Sequence, residues 1–121
     1  MSRPSRPWFR FYTEAPTDPK VRRLSVESRW LFVAVLGLAR MSPLPGTLML
    51  TETVPAGVDD LADYANLPAK KVQTALKELV DLGLVQSNPF GCWFVPNWDK
   101  RQFESDDVTK RTRQHRHGED E

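Results

Sequence analysis

Apolar positions along the chain fall into blocks whose spacing alternates between helical and extended. Asp18-Pro19 has the form of a helix start, an N-cap followed by a proline at the first helical position, and predicts a short helix over 19–24. Ser25 can cap a second, longer helix to about Arg40. Its sequence, VESRWLFVAVLGLAR, is apolar nearly all the way round, as a buried central helix requires. Gly37 within it costs about 1 kcal/mol against alanine, so a close packing contact is expected there. The run SPLPG at 42–46 stops this helix, and 48–51 reads as a strand. A short helix is predicted over 58–65, with Asp59 and Asp60 in the first turn, where the helix dipole favours them. Asn66-Leu67-Pro68 then breaks the chain. The next helix starts at Pro68, runs to Leu82 and ends at Gly83. Two short strands follow, 84–87 and 92–96, joined by the turn residues Asn88-Pro89-Phe90-Gly91.

The order helix, strand, helix, three-residue break, helix, β-hairpin is the layout of a winged helix-turn-helix: a mainly α fold with a small β-wing. The helix-turn-helix pair is 58–65 and 68–82, and the wing is 84–96. An N-terminal arm over 1–17 precedes this body at 18–103, and a charged tail occupies 104–121. The aromatic-rich stretch at 8–12 predicts a short strand or an anchored extended arm. In PAKKVQTALKELVDLG, the residues Val72, Ala75, Leu76, Leu79, Val80 and Leu82 share one side at about 100° per residue. Lys70, Thr74 and Lys77 lie opposite, flanked by Lys71 and Gln73. A recognition helix presents such side chains to a major groove: lysine to guanine or phosphate, glutamine to adenine, threonine to either. An ordinary solvated helix face has the same composition. Asp81 also falls on it, spaced to pair with Lys77. Asp59, Asp60 and Asp63 on the preceding helix would repel phosphates if they faced the same way.

Composition narrows the classes further. The 121 residues are 40% hydrophobic and 27% charged, as in a globular protein with one modest core. The longest mainly apolar run, 30–39, is far short of the ~20 residues that a membrane span needs. The first residues, MSRPSRPW, lack the apolar region of a secretory signal. Cys92 is the only cysteine, so neither a disulfide nor a cysteine metal site is expected, and the setting reads as reducing and cytoplasmic. Both histidines, His115 and His117, lie in the polar tail. With no Ser/His/Asp set, no phosphate-cradling glycine loop and no metal cluster, neither an enzyme nor a cofactor is expected.

Net charge is only +1, but it is unevenly distributed. The first 23 residues carry Arg3, Arg6, Arg10, Lys20, Arg22 and Arg23 against Glu14 and Asp18, a surplus of +4. Lys110, Arg111, Arg113 and Arg116 add +4 near the other end, while residues 24–108 sum to −4. In the closing segment Trp98 and Phe103 are expected to pack back on the body. From Glu104 onward nothing can join a core. Ser105 or Asp106 can cap a short helix bearing Lys110, Arg111, Arg113 and Arg116. Lacking apolar periodicity, it would become ordered only against phosphates or a partner's acids. Phe90, Trp93 and Phe94 could stack on single-stranded nucleic acid, although alternating inward and outward wing residues explain them equally well.

Several blocks together, WFRFYTEAPTDPKVRRLS, the apolar helix, LVDLGLV and above all NWDKRQFESDDVTKRTRQHR, resemble phage and prophage helix-turn-helix proteins described as replisome organisers. These are related to the N-terminal winged helix of DnaD-like primosomal proteins. The resemblance spans 8–116 and is most specific in the closing block. It implies double-stranded DNA binding in replication initiation or transcriptional regulation, encoded by a phage or mobile element. It also implies self-association as a homodimer, through segments such as 8–12 and 48–51, and a possible host or phage replication protein as partner. Organisers usually continue into a second domain or a long tail, whereas this sequence stops at Glu121, a departure that speaks against a role needing a C-terminal helicase- or loader-binding domain. The candidate DNA-binding residues, read from the polar face of the helix and the basic tail, are Lys70, Lys71, Gln73, Thr74 and Lys77, with Lys110, Arg111, Arg113 and Arg116. The rival reading is a phage-encoded protein-interaction module that modulates a host protein without touching DNA.

Overall fold

Short polar side chains start the first two helices. The Asp18 carboxylate accepts the Lys20 N–H at 2.8 Å, and Pro19 opens α1 (Pro19–Arg22). This helix is a single turn, ending two residues earlier than the apolar pattern suggested; the chain bends instead to bury Leu24. Ser25 Oγ accepts the Ser28 N–H at 3.2 Å and caps α2 (Val26–Met41). The computed structural model describes residues 8–102.

α2 is the centre of the fold. Leu31, Val35 and Ala39 are fully buried, and both later helices pack on it: α3 (Val58–Ala65) and α4 (Ala69–Asp81). Asp60 reaches back to accept the Gly57 N–H at 2.8 Å and so starts α3. Asn66, left-handed at φ 57°, ends it. Trp30 of α2 donates its indole N–H to the Ala65 carbonyl at 2.8 Å, fastening the end of α3. The glycine within α2 does mark a close contact. A Cβ at Gly37 would stand 2.6 Å from the Tyr64 hydroxyl oxygen. Leu61, Val72 and Leu79 complete a core shared by the three helices.

The chain then forms a short wing. β1 (Gln86–Ser87) pairs antiparallel with β2 (Trp93–Phe94), Gln86 opposite Phe94 and Ser87 opposite Trp93. Both strands are shorter than the sequence suggested. The expected strand at 48–51 is reduced to isolated bridges, one of them between Met49 and Pro55. Thr47 makes an isolated bridge to Phe94 on the far edge of β2, with Leu48 N–H donating to the Trp93 carbonyl and Val95 N–H to the Gly46 carbonyl, both at 2.8 Å. Beyond Met49 the chain turns, because Thr51 Oγ1 accepts the N–H groups of Thr53 and Val54.

The stretch at 8–12 is an anchored arm rather than a strand. Phe9 packs on the core. Arg10 N–H donates to Gln102 Oε1 at 2.7 Å, Gln102 Nε2 donates to the Arg10 carbonyl at 2.9 Å, and the Tyr12 hydroxyl donates to the Arg101 carbonyl at 2.6 Å. Gln102 belongs to α5 (Trp98–Gln102), so the two ends of the described chain are clasped together. Beneath the clasp Trp98 is buried as expected, and the guanidinium of Arg40, 4% exposed, lies 5.1 Å from its ring centre. Phe103 and the predicted tail at 104–121 lie outside the described residues. No helix among the described residues is long and apolar enough to cross a membrane.

Candidate nucleic-acid interface

α4 is held by one side and open on the other. Val72, Ala75, Leu76 and Leu79 are buried against α2 and α3. Lys70, Lys71, Gln73, Thr74 and Lys77 are all exposed. The structure therefore places all five residues outward, but not on a single surface. At about 100° per residue, Lys70, Thr74 and Lys77 form one stripe with Gln73 beside it, whereas Lys71 and Glu78 lie about a quarter-turn away. That quarter-turn faces the start of α2. Lys71 Nζ lies 3.5 Å from Glu27 Oε1, and Glu78 receives the Ser25 N–H at 3.2 Å with the Ser25 hydroxyl 3.2 Å from its other oxygen. Lys71 is thus committed in part to α2, a role its position in KKVQ could not disclose.

Two details of the apolar and charged pattern differ from expectation. Val80 is 40% exposed, because it lies at the margin of the six-residue stripe, beside Gln73, rather than at its centre. Among the described residues Lys77 and Asp81 do not close an ion pair, so the Lys77 ammonium stays solvated on the outer stripe. Thr74 Oγ1 donates back to the Lys70 carbonyl at 3.2 Å, which leaves its oxygen lone pairs free to accept. Of the three acids on α3, Asp60 is occupied as the cap; Asp59 and Asp63 lie opposite the buried Leu61 and are exposed. Pro68, the N-cap of α4, provides no side-chain acceptor, so the positive end of the helix dipole adds to the field of Lys70.

The Glu78 contact carries a pH signature. The Ser25 backbone N–H, then the Ser28 hydroxyl, hold the Glu78 carboxyl below its ordinary pKa. A depressed carboxyl stabilises the fold at pH values above the ordinary glutamate value of about 4.3 and loses that contribution as pH falls through the lower folded value. The carboxylate is half-exposed, so the effect is modest. Glu78→Gln is expected to lower the unfolding midpoint slightly at pH 7 and to narrow the gap to wild type near pH 3, as followed by thermal melts across that range. A constant gap would remove Glu78 as the titrating group.

The wing root is stapled to the end of α4. Gly83, at φ 75°, turns the chain, and the Leu79 carbonyl accepts from both Leu84 N–H (2.9 Å) and Val85 N–H (3.3 Å). Trp93 and Phe94 are half-buried, whereas Phe90 is exposed. Cys92 is buried in the wing. Lys110, Arg111, Arg113 and Arg116 lie outside the described residues. One protein family, the N-terminal phage replisome organiser, matches the chain over residues 27–121. No curated protein and no solved structure matches it.

Proposed function

The chain belongs to the N-terminal phage replisome organiser family, which gives it a role in phage replication, and from that premise we propose that it binds duplex DNA through the outer face of α4. The observation that carries this reading is the orientation of α4. Its core side is fixed by Val72, Leu76 and Leu79, so Lys70, Gln73, Thr74 and Lys77 project together from a rigid helix. The lysines supply phosphate or guanine contacts and Gln73 a bidentate donor–acceptor for adenine. The tail bases Lys110, Arg111, Arg113 and Arg116 add backbone contacts. The protein acts by binding rather than by catalysis, in replication initiation rather than transcription.

Titration of a random-sequence duplex with the full chain across a salt series tests the proposal. Log affinity is expected to fall linearly with log salt, with a slope of several units. No binding at low salt would sink it. Truncation after Asp107 is expected to lower the slope by the share that the tail bases carry.

Self-association belongs to the same proposal. Trp8, Phe11 and Leu50 keep exposed apolar side chains in the two segments implied for it. Sedimentation equilibrium showing a monomer at all concentrations would remove this part and leave DNA binding standing. The protein-interaction reading has its own support in Val26, Trp30 and Met41, which are exposed along one side of α2.

A further inference from the structure

The wing ends in a feature that folding does not explain. Asn88 organises the turn: its N–H donates to the Cys92 carbonyl at 2.9 Å, and its Oδ1 accepts both the Phe90 N–H at 2.9 Å and the Cys92 N–H at 3.0 Å. Gly91, at φ 80°, completes the turn. Four residues are thereby fixed in a small, rigid tip that holds Phe90 outward, 88% exposed, the most exposed large apolar side chain among the described residues. A ring so placed gains nothing from the core, and leaving it in water is unfavourable. Val85 at the root and Cys92 just after the turn are buried, so the hairpin is anchored on both strands while Phe90 is turned outward. The staple to Leu79 keeps it in a constant relation to α4.

The surroundings select the kind of surface it meets. Gln86, Ser87, Pro89 and Gly91 are exposed, small or polar, and no charged residue occurs between Asp81 and Asp99. A stable protein interface needs roughly 800 Å² per partner, which one ring on a narrow hairpin cannot supply. Insertion between two base pairs needs only one apolar side chain at a rigid tip, and phenylalanine and proline are among the residue types that do it. The absence of acids leaves the phosphates flanking such a step unopposed.

We propose that Phe90 is a wedge that inserts at a base step of the same duplex that α4 holds. The inference rests on the DNA-binding reading and adds to it a contact that is apolar, lies on the wing and is insensitive to base identity. Because it neutralises no phosphate, its loss leaves the salt slope unchanged, whereas loss of a lysine contact reduces the slope. Because it works against base stacking, a mismatch that already weakens stacking is bound more tightly.

The test compares the full chain with Phe90→Ala and Phe90→Leu on two short duplexes, one fully paired and one with a central T·T mismatch. Wild type is expected to prefer the mismatched duplex. Phe90→Ala is expected to bind the paired duplex about tenfold more weakly with an unaltered salt slope, and to lose the preference. Phe90→Leu, still apolar, is expected to retain part of both. The ring is nearly fully exposed, so the unfolding midpoints of the variants stay at the wild-type value. Wild-type affinity and preference in Phe90→Ala would overturn the wedge and leave DNA binding by α4 intact. So would a wild-type protein without mismatch preference, or a Phe90→Ala variant whose only defect is reduced self-association. A wild-type chain that binds neither duplex at low salt overturns both proposals.

Discussion

Gly46→Ala is expected to destabilise the fold by about 3 kcal/mol or more, enough to leave a domain of this size partly unfolded at 37 °C. Two separate effects combine at this position. The backbone sits at φ 95°, where a side chain is strained, and a Cβ there would meet Trp98 Cγ at 2.7 Å and Trp98 Cβ at 2.8 Å. Trp98 cannot retreat. It is buried, with the Arg40 guanidinium near its ring and α5 tied to the arm through Gln102. The backbone cannot shift freely either, since the Gly46 carbonyl accepts from Val95 and its N–H donates to the Ala39 carbonyl. Gly83→Ala separates the two effects. Its φ of 75° carries the same kind of strain, but nothing lies within 4 Å of the added carbon, so a loss of about 1 kcal/mol is expected. Urea denaturation followed by far-ultraviolet circular dichroism reads both. Equal losses would show that the contact with Trp98 contributes nothing. Trp98→Leu in the Gly46→Ala background should recover part of the clash, as a coupling between the two sites.

Local signals in the sequence located most of the elements and few of the long-range contacts. Asp18-Pro19, Ser25 and the Asn66–Pro68 break work through residues one to three positions away, and all three mark boundaries where the sequence placed them. The strand expected at 48–51 is cut to isolated bridges because its apolar residues are followed by Thr51, whose hydroxyl draws the chain into a turn. Gln102 could be read only as part of a polar segment. Its burial depends on Arg10, 92 positions away, and no periodicity encodes that pairing. Arg40 is similar: an arginine near a helix end ordinarily reaches water, but here the clasp of arm and α5 covers it. On α4 the wheel separated inside from outside correctly for Lys70, Gln73, Thr74 and Lys77. It also set Lys71 a quarter-turn from them, but it could not show that Glu27 of a neighbouring helix lies on that side. The wing's position was legible from its turn residues, while the outward aim of Phe90 depends on which side chains of the hairpin the core accepts.

The two kinds of lysine on α4 give the most decisive measurement on function. Lys70→Ala with Lys77→Ala is expected to weaken binding to a random duplex between roughly ten- and a hundredfold at 0.1 M salt, and to reduce the salt slope by about two. Both ammonium groups are exposed on the outer stripe, so each phosphate contact they make releases counterions that the variant no longer releases. Lys71→Ala is expected to cost several-fold less. Its ammonium is turned about 100° around the helix and shares its charge with Glu27 at 3.5 Å, so it neutralises little of a phosphate. Glu27→Gln supplies the converse: with its partner gone, Lys71 gains reach, and binding should tighten slightly as the slope rises. Gln73→Ala should leave the slope alone and change only the discrimination between sequences, since an amide reads bases without neutralising charge. Fluorescence anisotropy across a salt series resolves all four variants. If Lys71→Ala proved as damaging as the Lys70–Lys77 pair, the duplex would lie across the Glu27 side of the helix, and the outer stripe would not be the surface that meets DNA.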